Sequence, residues 1–197
     1  MPQSWLVLAV ATVIGFLVGS VNPASIVARL RQTDLRGAGS GNPGATNVGR
    51  VLGLRWGVLV GVLDVLKGLL PTLVALVWLD RFTAYVVGLA CILGHVLSPY
   101  LRGRGGKGVA TSLGAVLAVF PWFALAMVAV FGLVLWRTRW VAGASMAAAG
   151  VLIVLSLVGP VPEPASAVGR LWGVVVGVLV IARHQGNVRA WMAARLR

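Results

Sequence analysis

The chain has 197 residues, of which 59% are hydrophobic and 11% are charged. Because charged residues make up about a quarter of ordinary soluble domains, this composition excludes that class and indicates a polytopic membrane protein. The net charge of +13 would suggest nucleic acid binding in a soluble protein, but in a membrane protein basic residues first report topology. The single cysteine, Cys91, provides neither a disulfide nor a metal site.

The apolar runs predict an all-α, polytopic transmembrane helical bundle of about seven spans that forms one domain over residues 1–197. The first run follows no basic segment and contains no cleavage site, so we expect a retained helix and not a signal peptide. Tryptophans near the span ends are typical of the membrane interface; these are Trp56, Trp136, Trp140 and Trp172. The predicted spans are Ser4–Ala28, Trp56–Leu79, Phe82–Leu97, Val109–Phe120, Trp122–Trp136, Trp140–Val158 and Val168–Ala182.

The fourth run, Val109–Phe120, is short, because about a dozen helical residues reach only about 18 Å. It is either a short helix that packs against its neighbours or the first part of one kinked helix that continues to Trp136. Charge placement favours two separate helices, because only two crossings return Arg137 and Arg139 to the cytoplasm.

The basic residues set the expected orientation. By the positive-inside rule, the basic segment after the first span lies in the cytoplasm, which places the N-terminus outside and the basic C-terminal tail in the cytoplasm. The loop at 159–166 contains Glu163 and no basic residue, so we expect it outside. Of the 17 Lys and Arg residues, all but Lys67, Arg81 and Arg170 then lie on the cytoplasmic side. Topology thus accounts for the charge, and no nucleic acid partner is expected.

Asp64 and Lys67 are three residues apart in the second predicted span and therefore share one helical face. Isolated charges are costly at membrane depth, so the two side chains are expected to pair. The pair is either a structural clasp or a functional charge relay. Local neutralisation of both charges favours the clasp.

The segment Gly37–Arg50 reads GAGSGNPGATNVGR and contains five glycines. Glycines adopt positive φ readily, and the backbone N–H groups exposed by such turns form concave sites for anions. The segment is either such a site or a flexible cytosolic linker. Its neighbours Arg36 and Arg55 are expected mainly to set topology.

A second glycine-rich segment, Gly105–Gly108, reads Gly-Gly-Lys-Gly and precedes a helix with Thr111 and Ser112 near its start. Backbone N–H groups, the helix dipole and the lysine charge together favour a phosphate group. The spacing does not match a Walker A motif, so we do not predict a nucleotide site. His95, which precedes this segment, is expected to support the loop by hydrogen bonding and not to act as a catalyst.

A third polar cluster, His184–Asn187, and Ser145 are expected on the same cytoplasmic face as the two glycine-rich segments. The combined site is rich in cations, with Arg50 and Lys107, and poor in carboxylates. Such a site suits a phosphorylated substrate. It lacks the carboxylate groups that metal binding or glycoside hydrolysis would need, so we expect neither a metal nor a cofactor.

These motifs resemble those of the bacterial acyl-phosphate-dependent glycerol-3-phosphate acyltransferase family, known as PlsY. The resemblance covers nearly the whole chain and includes GSGNPGATNVGR, DVLKG, GHVLSP, GRGGKGVATS and RHQGN followed by Arg189. It implies seven transmembrane helices, an external N-terminus and an active site on the cytoplasmic side of the bacterial inner membrane. The implied reaction transfers the acyl group of an acyl phosphate to the 1-hydroxyl of glycerol 3-phosphate, giving lysophosphatidic acid and phosphate. This is the first acylation of phospholipid biosynthesis.

The resemblance also implies roles for individual residues. The catalytic set is Ser40, Ser145, His184 and Asn187. The set that binds substrate and phosphate is Asn42, Thr46, Asn47, Arg50, Gly105, Gly106, Lys107, Gly108 and Ser112. The family commonly has a glutamate where this chain has Gly186, which puts a carboxylate role there in doubt. The implied partners are the two small substrates, the lipid bilayer and a soluble enzyme that supplies acyl phosphate.

An acyl phosphate is already activated, so positioning and charge stabilisation suffice without an acyl-enzyme intermediate. The general base is either His184 or a phosphate oxygen of the substrate. The absence of a carboxylate at position 186 to orient His184 favours the substrate.

Two other classes of protein are alternatives to an enzyme. A transporter or channel for a phosphorylated anion would carry polar residues along the inner faces of its helices and an inverted repeat, and neither is evident. A non-catalytic membrane scaffold would leave the polar motifs without a role.

Overall fold

The computed structural model describes residues 4–162 and 166–195, so Glu163 of the predicted external loop lies outside the described residues. The described residues form helices and connecting loops, and no strand occurs among them. The chain divides into two compact units, Met1–Val119 and Phe120–Arg197, which we call unit 1 and unit 2. One domain over the whole chain stays a prediction.

Unit 1 contains six α-helices and a short 3₁₀ turn at Pro99–Leu101 among its described residues. Unit 2 contains four α-helices in the part that the structure describes. The helices of unit 1 are α1 (Trp5–Ser20), α2 (Pro23–Leu30), α3 (Ala45–Leu52), α4 (Leu54–Trp78), α5 (Arg81–Leu97) and α6 (Val109–Val119). Those of unit 2 are α7 (Pro121–Thr138), α8 (Val141–Val158), α9 (Ser166–Ala182) and α10 (Gln185–Arg195).

Within the described ranges, six helical segments are long and apolar enough to cross a membrane. A shorter apolar helix, α6, adds to them. The prediction of an all-α, polytopic helical bundle is confirmed. The count of seven spans and the orientation in the membrane stay predictions. The six segments are Trp5–Leu30, Leu54–Trp78, Arg81–Leu101, Pro121–Thr138, Val141–Val158 and Ser166–Ala193.

The first predicted span, Ser4–Ala28, differs from the structure because it is broken into α1 and α2 at Val21 and Asn22. Pro23 begins α2, where its missing N–H is tolerated. The Asn22 side chain caps α2 by accepting the Ser25 N–H at 2.8 Å. The polar residues at this end therefore mark a break within the span.

Helix α6 packs closely on α4. A Cβ atom on Gly114 would lie 2.0 Å from the Val65 carbonyl oxygen, and one on Gly68 would lie 2.1 Å from that of Thr111. Small residues allow this approach, as is common between membrane helices. The chain leaves helical geometry at Phe120, with φ −138° and ψ 67°. The two-helix alternative for the fourth run is thus confirmed, and one kinked helix is wrong.

Two helices were not predicted. Helix α3 occupies the second half of the Gly37–Arg50 segment, and α10 occupies most of the basic tail after Ala182. Both helices are short. Glycine and polar residues within or just before them interrupt the apolar periodicity by which a helix is predicted.

In unit 2, α8 packs against both α7 and α9. Trp172 is 5% exposed, and its ring meets the edge of Phe120 at 6.0 Å. Trp172 therefore packs in the interior of the unit, and its depth in the membrane stays a prediction. Arg170 donates to the carbonyl oxygens of Ser156 and Leu157 and so caps the end of α8.

Candidate functional site

The first glycine-rich loop is organised by Asn47, which is 1% exposed. Its Oδ1 accepts the Ser40 N–H at 2.8 Å, and its Nδ2 donates to the carbonyl oxygens of Leu35 at 3.2 Å and Ala38 at 3.1 Å. One amide thus fixes three points of the loop. The segment is a folded structure, and the alternative of a flexible linker is wrong.

Gly39 is required in this loop for two reasons. Its φ of +63° is unfavourable for residues with a Cβ atom, and a Cβ atom there would lie 2.2 Å from Asn47 Oδ1. The loop backbone therefore wraps directly over the Asn47 amide.

The other predicted residues of this loop lie nearer to solvent. Ser40, Thr46 and Arg50 are exposed, and Asn42 is half-buried. Arg50 projects from α3, with Nη1 at 3.5 Å from Asn47 Oδ1. An exposed guanidinium held beside a folded glycine loop is well suited to bind a phosphate. Asn47, by contrast, has its amide engaged within the loop and acts by holding it in shape.

The second glycine-rich loop folds back on the end of α5. The Gly105 N–H donates to the Val96 carbonyl at 3.0 Å, and the Gly106 N–H donates to the His95 carbonyl at 3.1 Å. A Cβ atom on Gly105 would lie 1.9 Å from the His95 carbonyl oxygen, so no larger residue fits. The His95 backbone carbonyl thus supports this loop, and the role predicted for the His95 side chain stays a prediction.

Lys107 and Gly108 follow directly and lead into α6. Gly108 has φ of +81°, and its carbonyl accepts the Ser112 N–H at 2.7 Å. The side-chain oxygens of Thr111 and Ser112 are buried, with no hydrogen-bond partner among the described residues. The backbone N–H groups of the first turn of α6 lie next to Lys107 in sequence. This is the arrangement of glycine loop, lysine and helix start that favours a phosphate.

The two glycine-rich loops are connected within unit 1. Arg36 donates through Nη2 to the Arg104 carbonyl and lies 3.5 Å from the Gly41 carbonyl. Its own N–H donates to Asp34 Oδ1 at 2.8 Å. Arg36 was predicted mainly to set topology, but in the structure it also bridges the loops.

A second tie to the first loop comes from the break between α1 and α2. The Asn22 Nδ2 donates to the Pro43 carbonyl at 3.1 Å, and this amide is 6% exposed. The capping residue of α2 therefore also holds the glycine-rich loop.

The predicted ion pair of α4 is confirmed, with Lys67 Nζ at 2.9 Å from Asp64 Oδ1. His95 Nδ1 lies 3.4 Å from the same oxygen. Lys67 also donates to the Val21 carbonyl at 2.6 Å. The pair also contacts the break between α1 and α2, and His95 is an additional member, while the choice between a structural clasp and a charge relay stays a prediction.

In unit 2, Ser145 lies in the second turn of α8, and His184 and Asn187 lie where α9 passes into α10. Ser145 is 3% exposed and donates to the Val141 carbonyl at 2.9 Å. The Asn187 N–H donates to the His184 carbonyl at 2.9 Å. Convergence of these residues with the glycine-rich loops stays a prediction.

His184 is 2% exposed, and its Nδ1 lies 2.7 Å from the Val180 carbonyl oxygen. A carbonyl oxygen only accepts, so Nδ1 carries the proton and the lone pair of the neutral ring is on Nε2. A backbone carbonyl thus orients this ring, although position 186 carries no carboxylate to do so. Gly186 itself is exposed, and a Cβ atom there would meet nothing within 4 Å.

Within the described ranges, no three His, Cys, Asp or Glu side chains are grouped so that they could hold a metal ion. The absence of a metal cofactor stays a prediction.

Three features of the site were not found from the sequence. These are the hub role of Asn47, the bridge made by Arg36 and the contact of His95 with Asp64. Each depends on a contact between separate segments. The polar capping residue Asn22 before Pro23 was the one visible signal of the break that holds the first loop.

A protein-family model described as Glycerol-3-phosphate acyltransferase matches residues 9–194. The glycerol-3-phosphate acyltransferase of Aquifex aeolicus (strain VF5) is 39% identical over 186 residues, which cover 93% of this chain and 94% of that protein. The glycerol-3-phosphate acyltransferase of Geobacter sulfurreducens (strain ATCC 51573 / DSM 12127 / PCA) is 40% identical over 182 residues, which cover 91% of each chain.

Two crystal structures of PlsY (YgiH), an integral membrane glycerol 3-phosphate acyltransferase, are similar to this chain. The glycerol 3-phosphate form matches with a TM-score of 0.86 at 37% identity, over 95% of this chain and 93% of that chain. The lysophosphatidic acid form matches with a TM-score of 0.82 at 38% identity, over the same shares. Because the family model matches residues 9–194 of this chain, the chain belongs to the glycerol-3-phosphate acyltransferase family of integral membrane proteins.

Proposed function

We propose that this protein transfers the acyl group of an acyl phosphate to the 1-hydroxyl of glycerol 3-phosphate. The products are lysophosphatidic acid and inorganic phosphate, which makes this the first acylation of phospholipid biosynthesis. The hydroxyl oxygen forms a bond to the acyl carbon, and the bond between that carbon and the phosphate oxygen breaks. The hydroxyl proton passes to a base and leaves with the phosphate.

The observation that carries this proposal is the similarity to PlsY in its glycerol 3-phosphate and lysophosphatidic acid forms. Those two molecules differ by one acyl group, so they are the acceptor and the product of the proposed reaction. The sequence motifs and both folded glycine-rich loops of unit 1 support the same acceptor, because they suit a phosphate group.

We assign the binding of the two substrate phosphates to Arg50 and Lys107. The exposed guanidinium of Arg50 projects beside the first loop, and Lys107 sits between two glycines at the start of α6. Ser40, Asn42 and Thr46 supply polar groups around Arg50, and Ser112 and the glycines at 105, 106 and 108 shape the second loop. Asn47 contributes by fixing the first loop.

The acyl phosphate donor is supported by the chemistry of the residues present. The leaving group is a phosphate, which the cationic loops stabilise as it departs. A mixed anhydride needs no enzyme nucleophile, and the single thiol, Cys91, is buried in α5. The residues of unit 2, Ser145, His184 and Asn187, would orient the glycerol and the acyl carbonyl.

We propose that the enzyme is a multi-pass protein of the bacterial inner membrane with its active site on the cytoplasmic side. The excess of Lys and Arg in the loops that carry the three motifs supports this orientation. Cytoplasmic access would allow a soluble enzyme to supply the acyl phosphate.

The test is an assay of the purified protein in detergent with palmitoyl phosphate and glycerol 3-phosphate, and in parallel with palmitoyl-CoA as the donor. We expect lysophosphatidic acid and inorganic phosphate in equal amounts with palmitoyl phosphate and no product with palmitoyl-CoA. Equal rates with both donors would contradict the donor assignment. No lysophosphatidic acid with either would contradict the function.

Substitution of His184 by alanine tests the identity of the general base. Because the Val180 carbonyl fixes the proton on Nδ1, the ring presents Nε2 as a base, and we expect turnover to fall by about 100-fold or more. The measurement is kcat between about pH 6 and pH 9. If turnover stays within a few-fold of the unsubstituted protein over this range, a substrate phosphate oxygen is the base.

A further inference from the structure

A row of three buried polar side chains in unit 1 runs from the break in the first span to the second glycine-rich loop. Its members are Asp64, Lys67 and His95, which are 2%, 8% and 4% exposed. Asp64 Oδ1 lies 2.9 Å from Lys67 Nζ and 3.4 Å from His95 Nδ1. Burial of charged groups in apolar helices is unfavourable, and a hydrophobic set of similar volume is often as stable. Stability alone therefore does not account for the burial of these three polar side chains.

One end of the row is anchored at the break between α1 and α2. Lys67 Nζ donates to the Val21 carbonyl at 2.6 Å. In an unbroken helix the Ser25 N–H would reach this carbonyl, but here it bonds to Asn22. Lys67 thus satisfies a carbonyl that the break releases, and the anchor lies one residue from Asn22, which holds the first glycine-rich loop.

The other end meets the second glycine-rich loop. A Cβ atom on Gly106 would lie 2.1 Å from His95 Nε2 and 2.9 Å from Cε1, so the loop backbone rests against the imidazole ring. The Gly106 N–H also donates to the His95 carbonyl at 3.1 Å. The ring and Gly106 are therefore in direct contact, and Lys107 is the next residue.

We propose that His95 is a positioning residue for substrate binding. Asp64, itself paired with Lys67, contacts the imidazole ring from one side. The ring supports Gly106 from the other side and so determines where Lys107 is presented. This inference rests on the proposed function in assigning Lys107 to a substrate phosphate, and it places the support of that phosphate site inside the membrane helices α4 and α5.

The first experiment compares His95→Leu with His95→Asn. Leucine fills similar space without a polar contact to Asp64, whereas asparagine retains an N–H donor near the position of Nδ1. For His95→Leu we expect the KM for glycerol 3-phosphate or for palmitoyl phosphate to rise about tenfold or more, with kcat within about threefold. Asparagine keeps the contact with Asp64 but lacks the part of the ring that rests against Gly106, so the KM of His95→Asn is expected to lie between that of His95→Leu and that of the unsubstituted protein.

The second readout does not use activity. Hydrogen exchange of a peptide spanning residues 102–108 reports the Gly105 and Gly106 amides, which bond to Val96 and His95. We expect faster exchange of this peptide in His95→Leu than in His95→Asn. This measurement stays informative if the unsubstituted protein does not use these substrates, so that failure of the proposed function is distinguished from failure of the positioning role.

A second variant removes the opposite side of the contact. Asp64→Leu combined with Lys67→Met replaces the ion pair by apolar side chains, a change that folded proteins often tolerate. We expect the same rise in KM and the same faster exchange as in His95→Leu. Adding His95→Leu to this double variant should change the KM by no more than about twofold, because the contact between Asp64 and His95 is already lost.

The matched control is Thr72→Val. Thr72 is fully buried in α4 and donates to the Gly68 carbonyl at 2.7 Å, within its own helix. We expect its KM values and its exchange at 102–108 to match the unsubstituted protein. The proposal is overturned if His95→Leu leaves both KM values and this exchange unchanged. It is also overturned if the loss falls on kcat alone and is equal in His95→Leu and His95→Asn.

Discussion

Replacement of Lys107 by alanine is expected to reduce acyl transfer by about 100-fold or more, because the cation that we propose stabilises the phosphate charge is lost. The residue lies directly before α6, between Gly106, which rests against the His95 ring, and Gly108, which has φ of +81°. Lys107→Arg keeps the charge but changes its shape, so we expect intermediate activity. The measurement is kcat/KM with palmitoyl phosphate and glycerol 3-phosphate.

The control for Lys107→Ala is Arg104→Ala in the same loop. Both changes remove one positive charge, but the Arg104 side chain is exposed, and its backbone carbonyl, which accepts from Arg36, remains. We expect kcat/KM of this variant within about threefold of the unsubstituted protein, as for most surface changes. Equal losses in the two variants would show that net charge, and not the position of Lys107, determines activity.

Asn47→Ala is the second change for which we expect a large effect. It removes the amide that accepts from Ser40 and donates to Leu35 and Ala38, so the first glycine-rich loop loses three hydrogen bonds. Each bond contributes about 1 kcal/mol, so the loop is expected to lose its shape while the helices remain folded. We expect kcat/KM to fall by about 50-fold or more, because a displaced site loses both binding and orientation.

The control for Asn47→Ala is Gly49→Ala on the same helix, α3. A Cβ atom on Gly49 would meet only the Gly57 Cα, at 3.6 Å, which is an ordinary contact. We expect this variant to retain activity, and alanine is also the better helix former. Thermal stability in detergent is measured for both variants. An active Asn47→Ala protein would mean that the loop does not depend on this amide.

Local chemistry made much of this protein predictable. Apolar runs gave the long helices, and the proline at position 121 marked the boundary between α6 and α7. The three-residue spacing of Asp64 and Lys67 predicted their ion pair, because one helical turn brings such residues together. Glycines followed by lysine and a helix start indicated a phosphate loop before any fold was known.

The helices and contacts that were missed have weaker local signals. Helices α3 and α10 are short, and glycine or charge interrupts their apolar pattern. Trp172 was placed at the interface because tryptophans near span ends often lie there, yet packing against Phe120 buries it. A side chain near the end of a span can face the membrane interface or pack against neighbouring helices, and the arrangement of those helices determines which of the two occurs.

By itself, the sequence determined the class of protein, the positions of the apolar helices and the motifs that name the chemistry. Only the tertiary structure decided that Asn47 is a buried hub while Arg50 is exposed, and that His95 joins Asp64 and Lys67 beneath the second loop. The physical reason is distance along the chain. Helix formation and loop conformation depend on neighbouring residues, whereas the bonds between α1, α4, α5 and the loops join residues tens of positions apart, which composition and spacing do not encode.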